Sequence, residues 1–258
     1  MCLSTYQPLL QPTSPGRLLL VPTPLADVAS TPLQDVLPLG TLQVAAGLQH
    51  WIVENAKTAR GFLGALGRLQ PLAAPLQQLN LQQLPKHQLL DPAAVRQLLQ
   101  PALQGADIGL MSEAGAPCVA DPGALVVAGA HALGLSVVPL VGPSSILLAL
   151  MASGLDGQRF AFHGYLAQEA AERSLQIRQL EAESKQKRQT QLLIETPYRN
   201  AALLQALLLQ LRPDTRLSLA SGLTAPDAWI RSRSVAQWRA EGCALPEKTP
   251  TLFGFLAA

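Results

Sequence analysis

Three short apolar runs, each stopped by a loop of small residues and prolines and followed by residues at helical spacing, restrict this chain more than any other feature. Arg17-Leu-Leu-Leu-Val21 stops at Pro22-Thr-Pro24, Asp107-Ile-Gly-Leu-Met111 runs into Ser112 to Gly123, and Leu135 to Leu140 gives way to Val141-Gly-Pro-Ser-Ser145. The first two read as buried strands and the third as a further strand. Strands alternating with helices through such loops predict a parallel α/β sheet.

The helices are read from caps and spacing. Thr31-Pro-Leu-Gln-Asp-Val-Leu37 offers a capping Thr and a proline at the first helical position. Thr58 to Leu69 and Ala124 to Leu133 keep a helical period, Asp91-Pro92 opens a helix to about Leu103, and another runs from Ser145 to Met151. Leu42 to Val44 and Trp51 to Val53 are further strand candidates, while Gln70 to Leu89 shows no clear period. Beyond Gly154 the rhythm changes. Strands are expected at Phe160 to Tyr165, Gln191 to Glu195, Arg216 to Ala220 and Thr251 to Leu256, and helices at Glu169 to Lys187 and Arg199 to Leu211. Fewer crossover units and longer gaps predict a mixed sheet there. The expected division is an N-terminal parallel-sheet α/β domain over 1–142 and a C-terminal mixed-sheet α/β domain over 143–258.

Composition narrows the class. The 258 residues are 48% hydrophobic and 14% charged, which excludes a disordered chain and supplies ample core. Cys2, Cys118 and Cys243 are odd in number and far apart, so they support neither a disulfide framework nor a zinc cluster, and a reducing compartment is the simplest setting. Pro8, Pro12 and Pro15 interrupt the leader, and Pro139, Gly142 and Pro143 break the longest apolar stretch below the about 20 residues of a membrane helix. A cytoplasmic protein without membrane contact is expected. Up to Gly142 there are 6 basic and 7 acidic residues, net −1; beyond it 13 and 10, net +3. Neither half has the excess of an avid nucleic-acid binder. A polyanion would need a local patch, with Lys185 to Arg188 and the cluster Arg231, Arg233 and Arg239 as candidates.

The loop Ser112 to Gly123 is the most informative segment, because small residues let a ligand approach the backbone and prolines hold the loop open. In an open α/β sheet, ligands bind at the carboxyl ends of the strands. Pro22 to Asp27 and Gly142 to Ser145 belong to the same end, and the three loops outline a floor suited to gripping and orienting a ligand. An ordinary turn with Asp121 as helix cap is the alternative. His50, His87, His131 and His163 lack spaced partners for a metal, His163 reads as half-buried beside Phe160 and Phe162, and Cys118 lacks a paired histidine.

Five segments then match one family in order: Leu20-Val-Pro-Thr-Pro-Leu25; Ser112-Glu-Ala-Gly-Ala-Pro117 with Asp121-Pro-Gly123; Val138-Pro-Leu-Val-Gly-Pro-Ser144; Phe162-His-Gly-Tyr-Leu166; and Ile194-Glu-Thr-Pro-Tyr-Arg199. The chain resembles the tetrapyrrole (corrin/porphyrin) methylase superfamily of S-adenosylmethionine-dependent methyltransferases, and within it the branch that 2′-O-methylates a cytidine of small-subunit ribosomal RNA. That resemblance implies a homodimer of two-domain chains, S-adenosylmethionine as cofactor in the cleft between domains, and no metal. Residue by residue, it places donor contacts at Pro22, Pro24 and Leu25, at Glu113, Ala114, Gly115 and Asp121, at Ser144 and Ser145, and at Tyr165, Leu166, Glu195 and Thr196.

The chain departs from that branch mostly on the acceptor side. Leu25-Ala-Asp-Val28 stands where the branch has Ile-Gly-Asn-Leu, Glu54-Asn-Ala-Lys57 where it has Glu-Asp-Thr-Arg, and Ala220-Ser-Gly-Leu-Thr-Ala225 where it has Ala-Arg-Glu-Leu-Thr-Lys; its polar segment is replaced by Leu/Gln residues near Leu81 to His87. A ribose hydroxyl needs a base or cation to lose its proton. Glu54 with Lys57 is the best surviving catalytic pair and Glu113 the second candidate. An RNA acceptor is the leading expectation; a tetrapyrrole or other small molecule, or donor binding with decayed catalysis, are the rivals. Methylation of small-subunit RNA by the wild type is expected to be weak or undetectable despite intact donor binding, and Asn55→Asp with Lys57→Arg is expected to raise it.

Overall fold

The computed structural model describes residues 14–85 and 90–258. Cys2, Pro8, Pro12 and His87 lie outside the described residues. Two compact units are present, one formed by residues up to Pro22 with Leu39–Val141, the other by Thr23–Pro38 with Gly142–Ala258.

In the first unit, β1 (Arg17–Leu20) precedes an excursion to the second unit, which carries the single-turn helix α1 (Leu33–Val36); the chain returns as α2 (Leu39–Ala46). Then come β2 (His50–Val53), α3 (Ala56–Leu69), β3 (Asn80–Gln83), α4 (Pro92–Leu98), α5 (Gln100–Leu103), β4 (Ile108–Met111), α6 (Gly123–Ala132) and β5 (Ser136–Pro139). All pairs are parallel, in the order β3-β2-β4-β1-β5, as the alternation predicts. One core joins Leu18, Ile52, Ile108 and Leu110 of the strands to Val95, Leu99, Val126 and Ala130. Trp51 is fully buried, and a Cβ on Gly109 would stand 2.5 Å from its ring, so only glycine fits there.

Local chemistry explains where the elements differ from the sequence-based expectation. Leu42 to Val44, expected as a strand, lies inside α2, whose buried residues Thr41, Leu42, Ala45 and Ala46 form one helical face. The helix expected from Asp91 to Leu103 starts as read, with the Asp91 carboxylate accepting from Ala94 N at 2.7 Å, but is broken at Leu99. Pro101 cannot donate to the preceding turn and disfavours a helical residue before it. Thr31 does not cap α1: its hydroxyl donates to the Thr224 carbonyl, and Pro32 occupies the cap position without a side-chain bond. In α3, by contrast, Ala59, Phe62, Leu63 and Leu66 recur on one buried stripe.

The second unit continues with α7 (Ser145–Ser153), β6 (Phe160–Phe162), α8 (Ala170–Lys187), β7 (Thr190–Glu195), α9 (Asn200–Gln210), β8 (Arg216–Ser221), β9 (Trp229–Ser234), α10 (Val235–Glu241) and β10 (Thr251–Leu256). Its sheet is mixed, in the order β6-β7-β10-β8-β9, with β6 parallel to β7 and the other pairs antiparallel. Strand alternation supplies two faces. Leu193, Leu219 and Phe253 pack with Ile177, Leu203, Leu207 and Trp238, whereas Leu192, Ala220 and Leu252 pack with Ala149 and Leu150 of α7. The β9–α10 stretch, not foreseen from sequence, is held by a Ser234–Gln237 capping box and by Trp238, whose indole donates to the Leu217 carbonyl at 2.8 Å.

Candidate functional site

The connections after β2 and β4, neighbours in the first sheet, run to opposite edges, β2 leading to β3 and β4 to β5. Their carboxyl ends therefore flank the topological switch point where open α/β sheets bind ligands. Residues from both ends meet there. Glu54, just after β2, accepts the Glu113 amide through Oε2 at 2.9 Å. Asn55 caps α3 by accepting from Lys57 N at 2.9 Å and donates from Nδ2 to Glu113 Oε1 at 2.5 Å. The Thr58 hydroxyl has one proton to share between the Asn55 carbonyl at 3.2 Å and the same Oε1 at 3.4 Å. Lys57 is exposed, and its ammonium meets no described side chain. Of the three catalytic candidates, Glu54 and Glu113 are thus brought together; the contributions of Asn55 and Thr58 are additions. The Asn before a helical stretch was a readable capping signal, but its bond to a residue 58 positions away was not.

The loop after β4 is strained and internally pinned. Gly115, Cys118 and Ala120 take φ values of 75°, 68° and 63°, a left-handed region unfavourable for L residues. Gly115 is buried and needs the freedom that only glycine has there. The Asp121 carboxylate accepts from Cys118 N and Gly123 N, both at 2.7 Å, holding the loop and the first amide of α6. Burial pushes the Asp121 carboxyl above its ordinary value, against the pull of the two amides. Burial, aided by Asp121, pushes the Cys118 thiol up to about 12, which leaves it unreactive.

Of the remaining donor candidates, Pro22 and Pro24 are buried and Leu25 half-buried. Ser144 precedes α7 without a side-chain bond to it, and Ser145 is its first residue. Tyr165 is exposed, whereas the Leu166 side chain belongs to the second unit's core. Glu195 is buried at the end of β7; its Oε1 accepts from Arg199 Nη2 at 2.7 Å and from the Thr196 amide at 2.6 Å. Arg199 was not singled out from sequence. Its role follows from the i, i+4 pairing with Glu195.

The basic clusters are partly committed to structure. Arg239 donates to the Leu208 and Leu211 carbonyls at the end of α9, and Arg233 pairs with Glu241 at 2.7 Å. Lys187 pairs with Glu183, while Arg231 is exposed, lying 5.8 Å over the Trp229 ring. Half-buried His163 bonds Gln191 through Nε2. Among the described residues, no group of three or more His, Cys, Asp or Glu could hold a metal ion, and no helix is long and apolar enough to cross a membrane.

Residues 57–237 match the tetrapyrrole (corrin/porphyrin) methylases. Over 156 residues the chain is 31% identical to a ribosomal RNA small subunit methyltransferase I of Xylella fastidiosa, an alignment covering 60% of this chain and 50% of the relative. The chain thus spans half the length of that relative. A protein of the same name from Vibrio cholerae is 30% identical over 233 residues, covering 89% of this chain and 74% of that one. The fold is similar to uroporphyrin-III-C-methyltransferase of Thermus thermophilus, with a TM-score of 0.52 at 19% identity over 93% of this chain and 92% of the other. With the family match spanning most of the sequence and both sheets in place, this chain belongs to the tetrapyrrole (corrin/porphyrin) methylases.

Proposed function

We propose that this chain transfers a methyl group from S-adenosylmethionine to a ribose 2′-hydroxyl of small-subunit ribosomal RNA, in the cytoplasm and as a homodimer. The observation that carries the reading is the Glu54–Asn55–Thr58–Glu113 cluster at the switch point, adjoining a pinned loop of small residues. The names of its relatives favour RNA as the acceptor. The residues present fit the donor: Gly115 is buried in a left-handed conformation with no side chain, Ala114 is small, and the loop is locked before any ligand arrives. In the second unit, Ser144, Ser145, Tyr165, Leu166, Glu195 and Thr196 are the residues the family resemblance proposes as donor contacts.

When bound, S-adenosylmethionine supplies an electrophilic methyl carbon on sulfur. The chain's tasks are to align the acceptor oxygen, exclude water and take the hydroxyl proton. A carboxylate at the switch point serves the last task, and exposed Lys57 in the first turn of α3 offers a positive charge to the RNA backbone.

Calorimetry with S-adenosylmethionine should give micromolar binding, lost in Gly115→Trp. Mass mapping of ribosomal RNA with and without the gene should reveal one missing 2′-O-methyl. Full methylation in its absence would remove this acceptor, and no binding heat at millimolar donor would remove the donor site. A size measurement giving only a 27.4 kDa species would refute the dimer.

A further inference from the structure

Resting on the methyl-transfer reading, we infer that Asn55 is a positioning residue that anchors one oxygen of Glu113 and aims the other, so that Glu113 accepts the proton of the acceptor hydroxyl. Two carboxylates stand at the crevice. Glu54 accepts the Glu113 amide through Oε2 and so fixes the backbone that carries Glu113. Glu113 has Oε1 engaged by Asn55 Nδ2 and Thr58 Oγ1, while its Oε2 meets no donor among the described residues. One oxygen is anchored and the other is left for a proton.

The identity of residue 55 matters for a reason apart from capping. Asp and Asn cap helices about equally well. Here Asn55 Oδ1 accepts from Lys57 N, which fixes the amide orientation and leaves only Nδ2 to face Glu113. An Asp at this position could still cap α3, but would turn its second oxygen onto Glu113 at hydrogen-bond distance with no proton between them. Two carboxylates so placed cannot both stay ionised. The contact requires the amide. The other charged groups nearby are Glu54 from the end of β2 and Lys57 and Arg60 from the first turns of α3. In the reaction, the ribose oxygen bonds the methyl carbon, the carbon–sulfur pair leaves with sulfur as a neutral thioether, and the hydroxyl proton passes to Glu113 Oε2.

The test compares wild type, Asn55→Asp, Glu113→Gln and the swapped double variant Asn55→Asp/Glu113→Gln. Each is measured by thermal unfolding at neutral pH and by transfer of labelled methyl from S-adenosylmethionine to unmethylated small-subunit RNA over a pH series. Asn55→Asp should lower the unfolding midpoint and displace the acid limb of the rate profile upward by about one pH unit or more. In the swap, the amide introduced at position 113 can donate to the carboxylate introduced at position 55. That variant should recover the midpoint yet remain at least about 10²-fold slow. Recovery of both stability and rate by the swap would mean a merely structural pair. An unchanged midpoint in Asn55→Asp would mean that the contact does not form. Either result overturns the inference alone, whereas a wild type that methylates no RNA overturns the functional reading with it.

Discussion

Removing the Asp121 carboxylate should loosen the loop that the proposed function depends on. Two backbone amides bond this group at 2.7 Å, and hydrogen bonds to charged groups contribute about 1.5–3 kcal/mol each. Against that loss stands the strain of Cys118 and Ala120, about 1–2 kcal/mol each, which is released once nothing holds them left-handed. Asp121→Ala should therefore lose about 2 kcal/mol, a midpoint shift of roughly 4–8 °C for a chain of this size. Donor affinity should fall more than about tenfold, because the binding-ready loop becomes one conformation among several. Asp121→Asn should fare no better, since its amide nitrogen would face an N–H donor. The sign of the pH effect follows from the raised carboxyl. A group that holds its proton more tightly when folded contributes fully below its unfolded value and loses that contribution as pH rises through the folded one. The midpoint gap between wild type and Asp121→Ala should accordingly widen as pH falls toward 3.8. Calorimetric melting and donor titration on the three proteins check this, and an Asp121→Asn protein matching wild type in both would refute the pinned loop.

Gly109→Ala, which drives a Cβ to 2.5 Å from the Trp51 ring, should destabilise by about 1–3 kcal/mol in chemical denaturation; an unshifted midpoint would show that the ring has room. Glu195→Gln leaves Arg199, 22% exposed, without its counter-charge, and should lose about 3 kcal/mol by the same assay, with a neutral result refuting the pair's importance. Arg17 bonds Asp107 and holds its carboxyl below the ordinary 3.8, so that contribution is present above 3.8 and lost as pH falls through the lower folded value. The melting curves of wild type and Arg17→Ala should separate at neutral pH and converge in strong acid; a constant separation would exclude the pair as its source.

The strands readable from sequence were those whose side chains carry the core. Leu18 to Leu20 and Ile108 to Met111 are apolar because both faces are covered, and the pattern says so. Asn80–Gln83 and Trp229–Ser234 are edge strands with polar residues facing outward, so hydrophobicity gives no signal for them. Leu42 to Val44 misled because three residues cannot separate period 2 from period 3.6. At the site, Glu113 and its loop were legible as small-residue chemistry after a strand, but the bonds joining Glu113 to Glu54 and Asn55 were not, because they link strand ends distant in sequence. On sequence grounds Asn55→Asp together with Lys57→Arg should help, whereas the Asn55–Glu113 contact makes its first half, Asn55→Asp, a hindrance.

The early departure of the chain from the first sheet sets the order in which that sheet can close. β1 is made before any strand it pairs with, yet Leu18 must wait for Ile108 on one side and Val137 on the other. The α1 excursion that follows β1 likewise waits for its Thr224 acceptor, much later in the chain. Long-range parallel pairing is slow because loop closure precedes its reward. Refolding should therefore begin in β2–α3–β3, whose pairing is local, and insert β1 between β4 and β5 late. Pulsed amide exchange should find Leu18 to Leu20 protected after Trp51 to Val53, so the strand that comes first in chain order joins the sheet last.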